Sequence, residues 1–360
     1  MKKTRIILIL CVTMLLLSSC FGKESSKDIP VEKFVSTAIS GGAGVNNSFF
    51  INVENRLWVV GANSNGQLGA GDNTDKNAPV IATDNVVDVS AGGEHTIILK
   101  KDGTLWTAGN NAFGQLGDGT FESKNKFVKI MDNVVSFSAG YSYSAAVKSD
   151  GTLWVWGYNK GKKVFEGINE ATVNKPIKFA ENCKSVAAGE YNIIVIKNDN
   201  TLIDMTKPSE TIASDVATIC AGREHFAYLL TSGELFAYGY NGFGQLGNNS
   251  KEQITSPVSV MLDVAAVSLG NSHTVIIKKD GTLWATGKNI YGQLGDGSTD
   301  EKSTFTEVAS DISKVYAGSD HTVVIKNDNT VWGFGYNKFH QIVKAQTDTI
   351  LTSVEITEAE

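Results

Sequence analysis

The sequence predicts an all-β fold, a seven-bladed β-propeller of about four-stranded blades. Three observations carry it: one segment recurs seven times, its period is in the forties, and each copy is built of short strand and turn signals. Anchored on a tryptophan or its substitute, the copies fall at Trp58, Trp106, Trp154, Ile203, Phe236, Trp284 and Trp332, spaced 48, 48, 49, 33, 48 and 48 residues apart. A helical array would need longer apolar-periodic runs. Because a propeller grows by adding blades around an axis, one repeat domain accommodates the 360-residue chain.

The segment before the repeats has a different character. Lys2, Lys3 and Arg5 precede an apolar run from Ile6 to Leu17, which is short for a bilayer span and has the flanks of a secretory signal. Leu17-Ser18-Ser19-Cys20 resembles the bacterial lipobox, whose cysteine is acylated and becomes the mature N-terminus. The expected organisation is therefore a signal peptide over 1–19, lipidated Cys20 with a flexible tether over 20–33, and the propeller over 34–360. Loss of the three leader cations moves the formal net charge from −6 to −9, which leaves no basic footprint for nucleic acid. This places the protein outside the cytoplasm, held by lipid at a bacterial cell envelope, and it is expected to be monomeric.

Within a copy the elements follow in order. A short β-branched run such as Val86 to Ser90 ends in Ala-Gly, and Gly44, Gly92, Gly140, Gly189, Gly222, Gly270 and Gly318 mark this phase in all seven copies. Glycine there fits either a positive φ or a close approach of strands crowded near the axis. A second strand follows, then an Asp-Gly turn (Asp102-Gly103, Asp150-Gly151, Asp280-Gly281), then a third strand Thr-Leu-Trp. Asp-Gly between apolar segments predicts a hairpin of type I′, and Asp199-Asn200 and Asp328-Asn329 keep the same chemistry. The third strand leaves through a glycine into Asn-x-x-Gly-Gln-Leu-Gly, at 63–69, 111–117, 241–247 and 289–295. A fourth strand, for example Phe127 to Ile130, completes the blade.

Ala-Gly-x-x-His-Thr, Asp-Gly-Thr-Leu-Trp and Gly-Gln-Leu-Gly together resemble the seven-bladed repeats of the regulator of chromosome condensation family, over roughly 38–345. That resemblance implies guanine-nucleotide exchange on a nuclear GTPase, but it lies in scaffold motifs only, so the exchange activity is the less favoured reading. The secreted bacterial propellers of this class are the better analogy. One of them inhibits β-lactamases by placing a loop rim and its aromatic residues on the enzyme.

The residues that usually signal chemistry are explained by the repeat. His95, His225, His273 and His321 each lie three residues after the repeat glycine, where other copies carry Asn47, Tyr143 and Asn192. They are read as hydrogen-bonding groups at the blade edge and not as metal ligands. Asp72 to Asn77 begins like a calcium loop, but lacks the sixth-position glycine and the terminal glutamate. No phosphate loop, nucleophile elbow or zinc-protease helix is present. Neither a metal nor a cofactor is expected, and Cys183 and Cys220 are read as buried free thiols.

Partner choice is expected at the positions the copies do not share. Two residues between the repeat glycine and the histidine phase vary freely and are expected to ring the axial entrance. Tyr141, Tyr191, Arg223, Glu224, Asn271 and Asp320 are the candidate partner-binding residues there. Tyr141, Tyr191 and Arg223 belong to neighbouring copies and are expected to form one patch. The aromatic position before Gly-Gln-Leu (Phe113, Phe243, Tyr291, Phe339) is assigned to packing between blades, and its loops to the opposite rim. Copy three replaces Gly-Gln-Leu-Gly with 160–165, and copy four lacks that loop. The function expected is a non-catalytic scaffold binding an envelope or extracellular protein or glycan. The alternative is a lyase or hydrolase with a site in the axial funnel, for which Glu94, Glu190, Arg223, Glu224 and Asp320 are the rim candidates.

Overall fold

The computed structural model describes residues 38, 40–162, 164–342 and 347–357; the leader, Cys20 and tether predicted over 1–33 lie outside them. All described residues fall in one compact unit. Seven four-stranded antiparallel sheets occupy 40–83, 86–131, 134–180, 183–213, 216–261, 264–309 and 312–355, each made of four strands consecutive in sequence. These are blades 1 to 7 of the propeller. In blade 2 the strands are Val86–Ala91, His95–Lys100, Leu105–Gly109 and Lys124–Met131, as the spacing predicts.

The ring closes without a shared strand. Blade 7 is completed by Thr349–Glu355 and not by a strand from the start of the chain. Side chains bridge it to blade 1: Ser48 Oγ lies 3.0 Å from His321 Nε2, and Ser40 Oγ lies 3.3 Å from Tyr316 OH. Ser319 N–H donates to the Gly44 carbonyl at 2.9 Å.

The repeat glycine serves close approach, not positive φ. A Cβ on Gly270 would lie 2.3 Å from His273 Cε1 and 2.4 Å from the carbonyl oxygen of Gly318 on the next blade, and its φ is outside the left-handed region. The Asp-Gly hairpins form, but with a different turn from the one expected. Gly103 N–H donates to the Lys100 carbonyl at 2.9 Å, and only Gly103, at φ +76, is left-handed. This is a type I turn over Lys101-Asp102 followed by a glycine bulge, and not type I′. Asn200 (φ 64) and Asn329 (φ 68) hold the same bulge position. Thr104 bonds to Asp102 through both N–H and Oγ, and Trp106 Nε1 donates to Thr104 Oγ1 at 2.7 Å, which accounts for the Asp-Gly-Thr-Leu-Trp string.

The conserved phase of the outer loop is equally mechanical. Asn111 Oδ1 accepts from Leu116 N–H, and its amide donates to carbonyls across the loop, so one buried asparagine folds the segment and drives Leu116 into the seam between blades. Blade 3 keeps this device despite its altered sequence: Asn159 Oδ1 accepts from Val164 and Phe165, and both side chains are buried. Blade 4 has no such loop, and its third and fourth strands shrink to Leu202–Asp204 and Thr211–Ala213. Blade 5 fills the vacated volume with aromatics. Phe226 stacks on Tyr238 at 5.4 Å and Tyr228 on Phe236 at 5.2 Å; blade 6 carries Thr274, Ile276 and Thr286 at the phases of Phe226, Tyr228 and Tyr238, although the last phase is also aromatic in blades 3 and 7, as Trp156 and Phe334.

Candidate functional site

An up-and-down sheet brings its first and third turns to the same end. The rim loops that follow the repeat glycines and the Asn-x-x-Gly-Gln-Leu-Gly loops therefore share one face, which corrects the assignment of the latter to the opposite rim. The hydrogen bonds agree: Asn110 N–H donates to the Glu94 carbonyl, Tyr240 N–H to Glu224, and Tyr336 N–H to Asp320. At the centre of this face a cavity of about 90 Å³ opens on the axis. Its walls are the corners of all seven blades, Ala-Gly in six and Leu269-Gly270 in blade 6, and its lip carries Val45, Gly93, Tyr141, Glu190, Arg223, Asn271 and Ser319.

Two polar clusters stand on this lip. The first joins blades 3, 4 and 5. Glu190, whose side chain is only 7% exposed, accepts from Arg223 Nε and from Tyr191 OH. Lys160 Nζ donates to Tyr191 OH at 2.6 Å, lies 3.7 Å from Glu190 Oε1, and sits 4.2 Å from the Tyr191 ring centroid. The Arg223 guanidinium lies 5.8 Å from the ring centroid of Tyr141, two blades away. Burial works against ionisation of Glu190, but the hydrogen bonds from Arg223 and Tyr191 and the charges of Arg223 and Lys160 outweigh it and hold the carboxyl below the usual range. The second cluster joins blades 6 and 7: Lys288 Nζ bonds to Asp320 Oδ1 at 2.8 Å, Gln293 Nε2 donates to the same oxygen at 3.1 Å, and Asn271 Nδ2 donates to Ser319 Oγ at 2.5 Å.

The expected patch of Tyr141, Tyr191 and Arg223 is thus one connected group, with Glu224 beside Arg223. Asn271 and Asp320 belong to the other cluster. Sequence reading missed the role of Lys160, which arrives from the altered blade 3 loop, and of Glu190 as the carboxylate that binds the group together. The recurrent aromatic position packs between blades in two of its four occurrences: Phe113 stacks on Tyr158 at 4.5 Å and Tyr291 meets Tyr336 at 4.8 Å, whereas the ring contacts of Phe243 and Phe339 are with Tyr240 and Tyr336 of their own blades.

The histidines lie inside the seams and not at the blade edge. His95 Nε2 meets Ser144 Oγ at 2.9 Å, His225 meets Thr274 at 3.1 Å and His273 meets Thr322 at 3.0 Å, each partner on the next blade. Those hydroxyls donate onward to the carbonyls of Gln115, Gln245 and Gln293. The hydroxyl proton being used, histidine Nε2 carries the proton that bonds to it, and the ring is neutral. Burial pushes the pKa of His95, His273 and His321 down to about 4 and that of His225 to about 3. The sequence signal was a hydroxyl residue 49 positions after His95, His225 and His273; His321 finds Ser48 across the ring closure. Among the described residues no group of three His, Cys, Asp or Glu side chains is arranged to hold a metal. Cys183 and Cys220 are free; Cys183 is buried, whereas Cys220 is half-buried with its Sγ 3.1 Å from the Val267 carbonyl oxygen.

The regulator of chromosome condensation (RCC1) repeat model matches residues 54–99, 102–147, 232–277 and 280–325, and a second model of the same repeat matches 86–115, 134–161, 216–245, 264–293 and 312–341. The chain belongs to the RCC1 repeat family. No curated protein matches it in sequence. Among solved structures this RCC1-repeat propeller is similar to Prp20p of Saccharomyces cerevisiae, described with its binding to Gsp1p and histones: TM-score 0.74, 19% identity, 90% of this chain and 88% of that one. It is also similar to yeast RCC1 (Prp20) in complex with Kap60, at TM-score 0.72 and 17% identity over 94% and 91% of the two chains. Human WBSCR16 gives 0.69 and 20% over 79% and 85%. Identities this low establish a common fold and leave activity to the site. Blade 4 is where the RCC1 repeat is left unmatched by either model, which is where the structure finds it shortened.

Proposed function

We propose that this RCC1-repeat propeller is a membrane-anchored, non-catalytic binding module of a bacterial cell envelope, which captures a protein or glycan on the rim of blades 3 to 5. One observation carries the reading. Tyr141, Tyr191, Arg223 and Lys160 are drawn from three blades and positioned by a single buried carboxylate, Glu190. Arginine and tyrosine dominate interface energetics, and side chains already held in place lose little entropy when a partner docks. The Leu17 to Cys20 string supports the anchor, and the secreted propellers that block β-lactamases through an aromatic loop rim supply the analogy for the mode of binding.

The test is capture from envelope extract by the immobilised lipid-free domain, with the retained species identified. Tyr141, Tyr191 and Arg223 all occupy positions the repeats do not share. Their joint replacement by alanine should leave the far-ultraviolet circular dichroism of the domain unchanged and abolish capture. A folded triple variant that retains the same species would refute the rim assignment.

A further inference from the structure

Three devices recur at the junctions between blades, and their distribution is uneven. The first is the histidine relay described above, present from blade 2 to 3, 5 to 6 and 6 to 7, with the His321 to Ser48 contact from 7 to 1. The second is a side chain two residues before the repeat glycine that ties neighbouring inner strands. Ser90 accepts from Ala139 N–H, Ser138 from Ala188 and Ser268 from Ala317, while Cys220 lies against the Val267 carbonyl. The third is the leucine, or Val164 in blade 3, that the outer loop drives into the seam.

The junction of blades 4 and 5 has none of the three. Asn192 turns back to Asp204 in its own blade, and Phe226 occupies the hydroxyl position of blade 5. Ala187 stands at the position of the tying Ser90, Ser138 and Ser268, which holds Gly42, Cys220 and Tyr316 in blades 1, 5 and 7, and the outer loop is missing. The apolar cluster spanning this junction has six buried members, against ten for the cluster of blades 5 and 6 and ten for that of blades 6 and 7, among the described residues. What joins blades 4 and 5 at the functional face is Glu190: its N–H donates to the Arg223 carbonyl at 2.8 Å and its carboxylate holds the Arg223 side chain.

We propose that the Glu190–Arg223 pair is a clasp that carries the seam between blades 4 and 5, the sector of the ring that opens first, so that a partner engaging Arg223 at the rim acts directly on that seam. Only this last link rests on the rim being a binding site. The pair differs from an ordinary surface ion pair because the carboxylate is almost wholly buried and hydrogen-bonded beneath a half-exposed Arg223, so that removing the arginine leaves a buried charge without its partner.

The blade 6 to 7 seam supplies an internal control, since it carries a rim ion pair of its own, Lys288–Asp320, together with the relay and the serine tie. Hydrogen–deuterium exchange of the lipid-free domain reads both seams without any partner. In the wild-type protein the segments 183–197 and 216–230 should exchange faster than 264–278 and 312–326. Arg223→Ala should accelerate exchange in the first two segments on the order of tenfold, and Glu190→Gln, which keeps a hydrogen-bonding side chain, by less. Lys288→Ala should leave 264–278 and 312–326 within about twofold of wild type. Uniform protection around the wild-type ring would overturn the proposal. So would an Arg223→Ala protein with unchanged 183–197 and 216–230, one that exchanges faster everywhere, or a Lys288→Ala protein loosened to the same extent at its own seam. Failure of the capture experiment would remove the rim reading and leave these outcomes intact.

Discussion

Replacing Gly270 by alanine tests the reading of the repeat glycine as a point of contact between blades. The new Cβ would stand 2.3 Å from His273 Cε1, 2.5 Å from His273 Nδ1 and 2.4 Å from the Gly318 carbonyl oxygen. The imidazole cannot retreat freely, because its Nε2 is bonded to Thr322 Oγ1 at 3.0 Å, and Thr322 is bonded to the Gln293 carbonyl at 2.8 Å. Overpacking of this kind costs about 1–3 kcal/mol, and stranding the buried imidazole N–H costs about 1–3 more, so a loss of about 2–6 kcal/mol is expected. Gly281, on the same blade, has φ +83 and nothing nearer than 4.0 Å to its would-be Cβ. Gly281→Ala therefore meets only the left-handed backbone penalty, about 1–2 kcal/mol. Urea unfolding of both variants gives the comparison, and the Gly270→Ala/His273→Ala double variant completes it. Removing the ring removes two of the three clashes, so the double should be more stable than the sum of the singles by more than about 1 kcal/mol. If Gly270→Ala costs no more than Gly281→Ala, or if the double is additive, the contact argument is wrong.

Three further outcomes are expected. The four relay histidines are held neutral, with folded pKa values of about 3 to 4 against about 6.5 in the unfolded chain, so the unfolded state takes up protons first as pH falls. Their contribution is fully present above pH 6.5 and is lost between 6.5 and 4, at up to about 1.4 kcal/mol per pH unit for each histidine. The melting temperature should drop steadily from pH 7 to 5, a range in which carboxylates of lowered pKa such as Asp102 and Asp280 have not begun to titrate; a flat profile would refute the relay. Tyr238 OH is enclosed with no hydrogen-bond partner in the structure, so Tyr238→Phe should be neutral or stabilising by up to about 1 kcal/mol in the same melts, and a loss above 1 kcal/mol would show that the hydroxyl has a function. Cys20→Ala should shift the protein from the membrane fraction to soluble or unprocessed forms, and a processed, membrane-bound variant would dismiss the lipobox.

The parts of this molecule legible in the sequence were those the repeat enforces seven times over. Spacing gave the blades, and Asp-Gly gave the hairpins. The turn type escaped because Asp-Gly is compatible with two loops, and only the backbone shows that Asp102 stays right-handed while Gly103 does not. The face occupied by the Gly-Gln-Leu-Gly loops was available in principle, since four antiparallel strands in order leave no choice. Partners of His95, His225 and His273 lay 49 residues downstream, visible only once Ser144, Thr274 and Thr322 are aligned by phase and compared with Ile193 and Phe226. Nothing local distinguishes Tyr228 or Tyr238 from any other strand aromatic. The aromatic peculiar to blade 5 is Phe226, which takes the phase of the relay hydroxyl and packs in the cluster shared with the blade that lacks the loop. The rim cluster was half legible for a related reason: variable positions, Glu190 among them, announce themselves, but that Glu190 unites its neighbours and that Lys160 joins from another loop do not.

A ring whose blades are each complete in themselves has no privileged origin. Among the described residues no strand crosses from the first blade to the last, and the closing contacts of Tyr316 and His321 with Ser40 and Ser48 are of the same kind as those at other junctions. Covalent order and spatial order are therefore separable. The turns on the face away from the rim, such as those at Asn133 and Asp263, are places where the backbone can be cut and the two ends of the domain rejoined by a linker, with every sheet left whole. The same separability lets such a disc gain or lose material one blade at a time, with each change confined to two junctions.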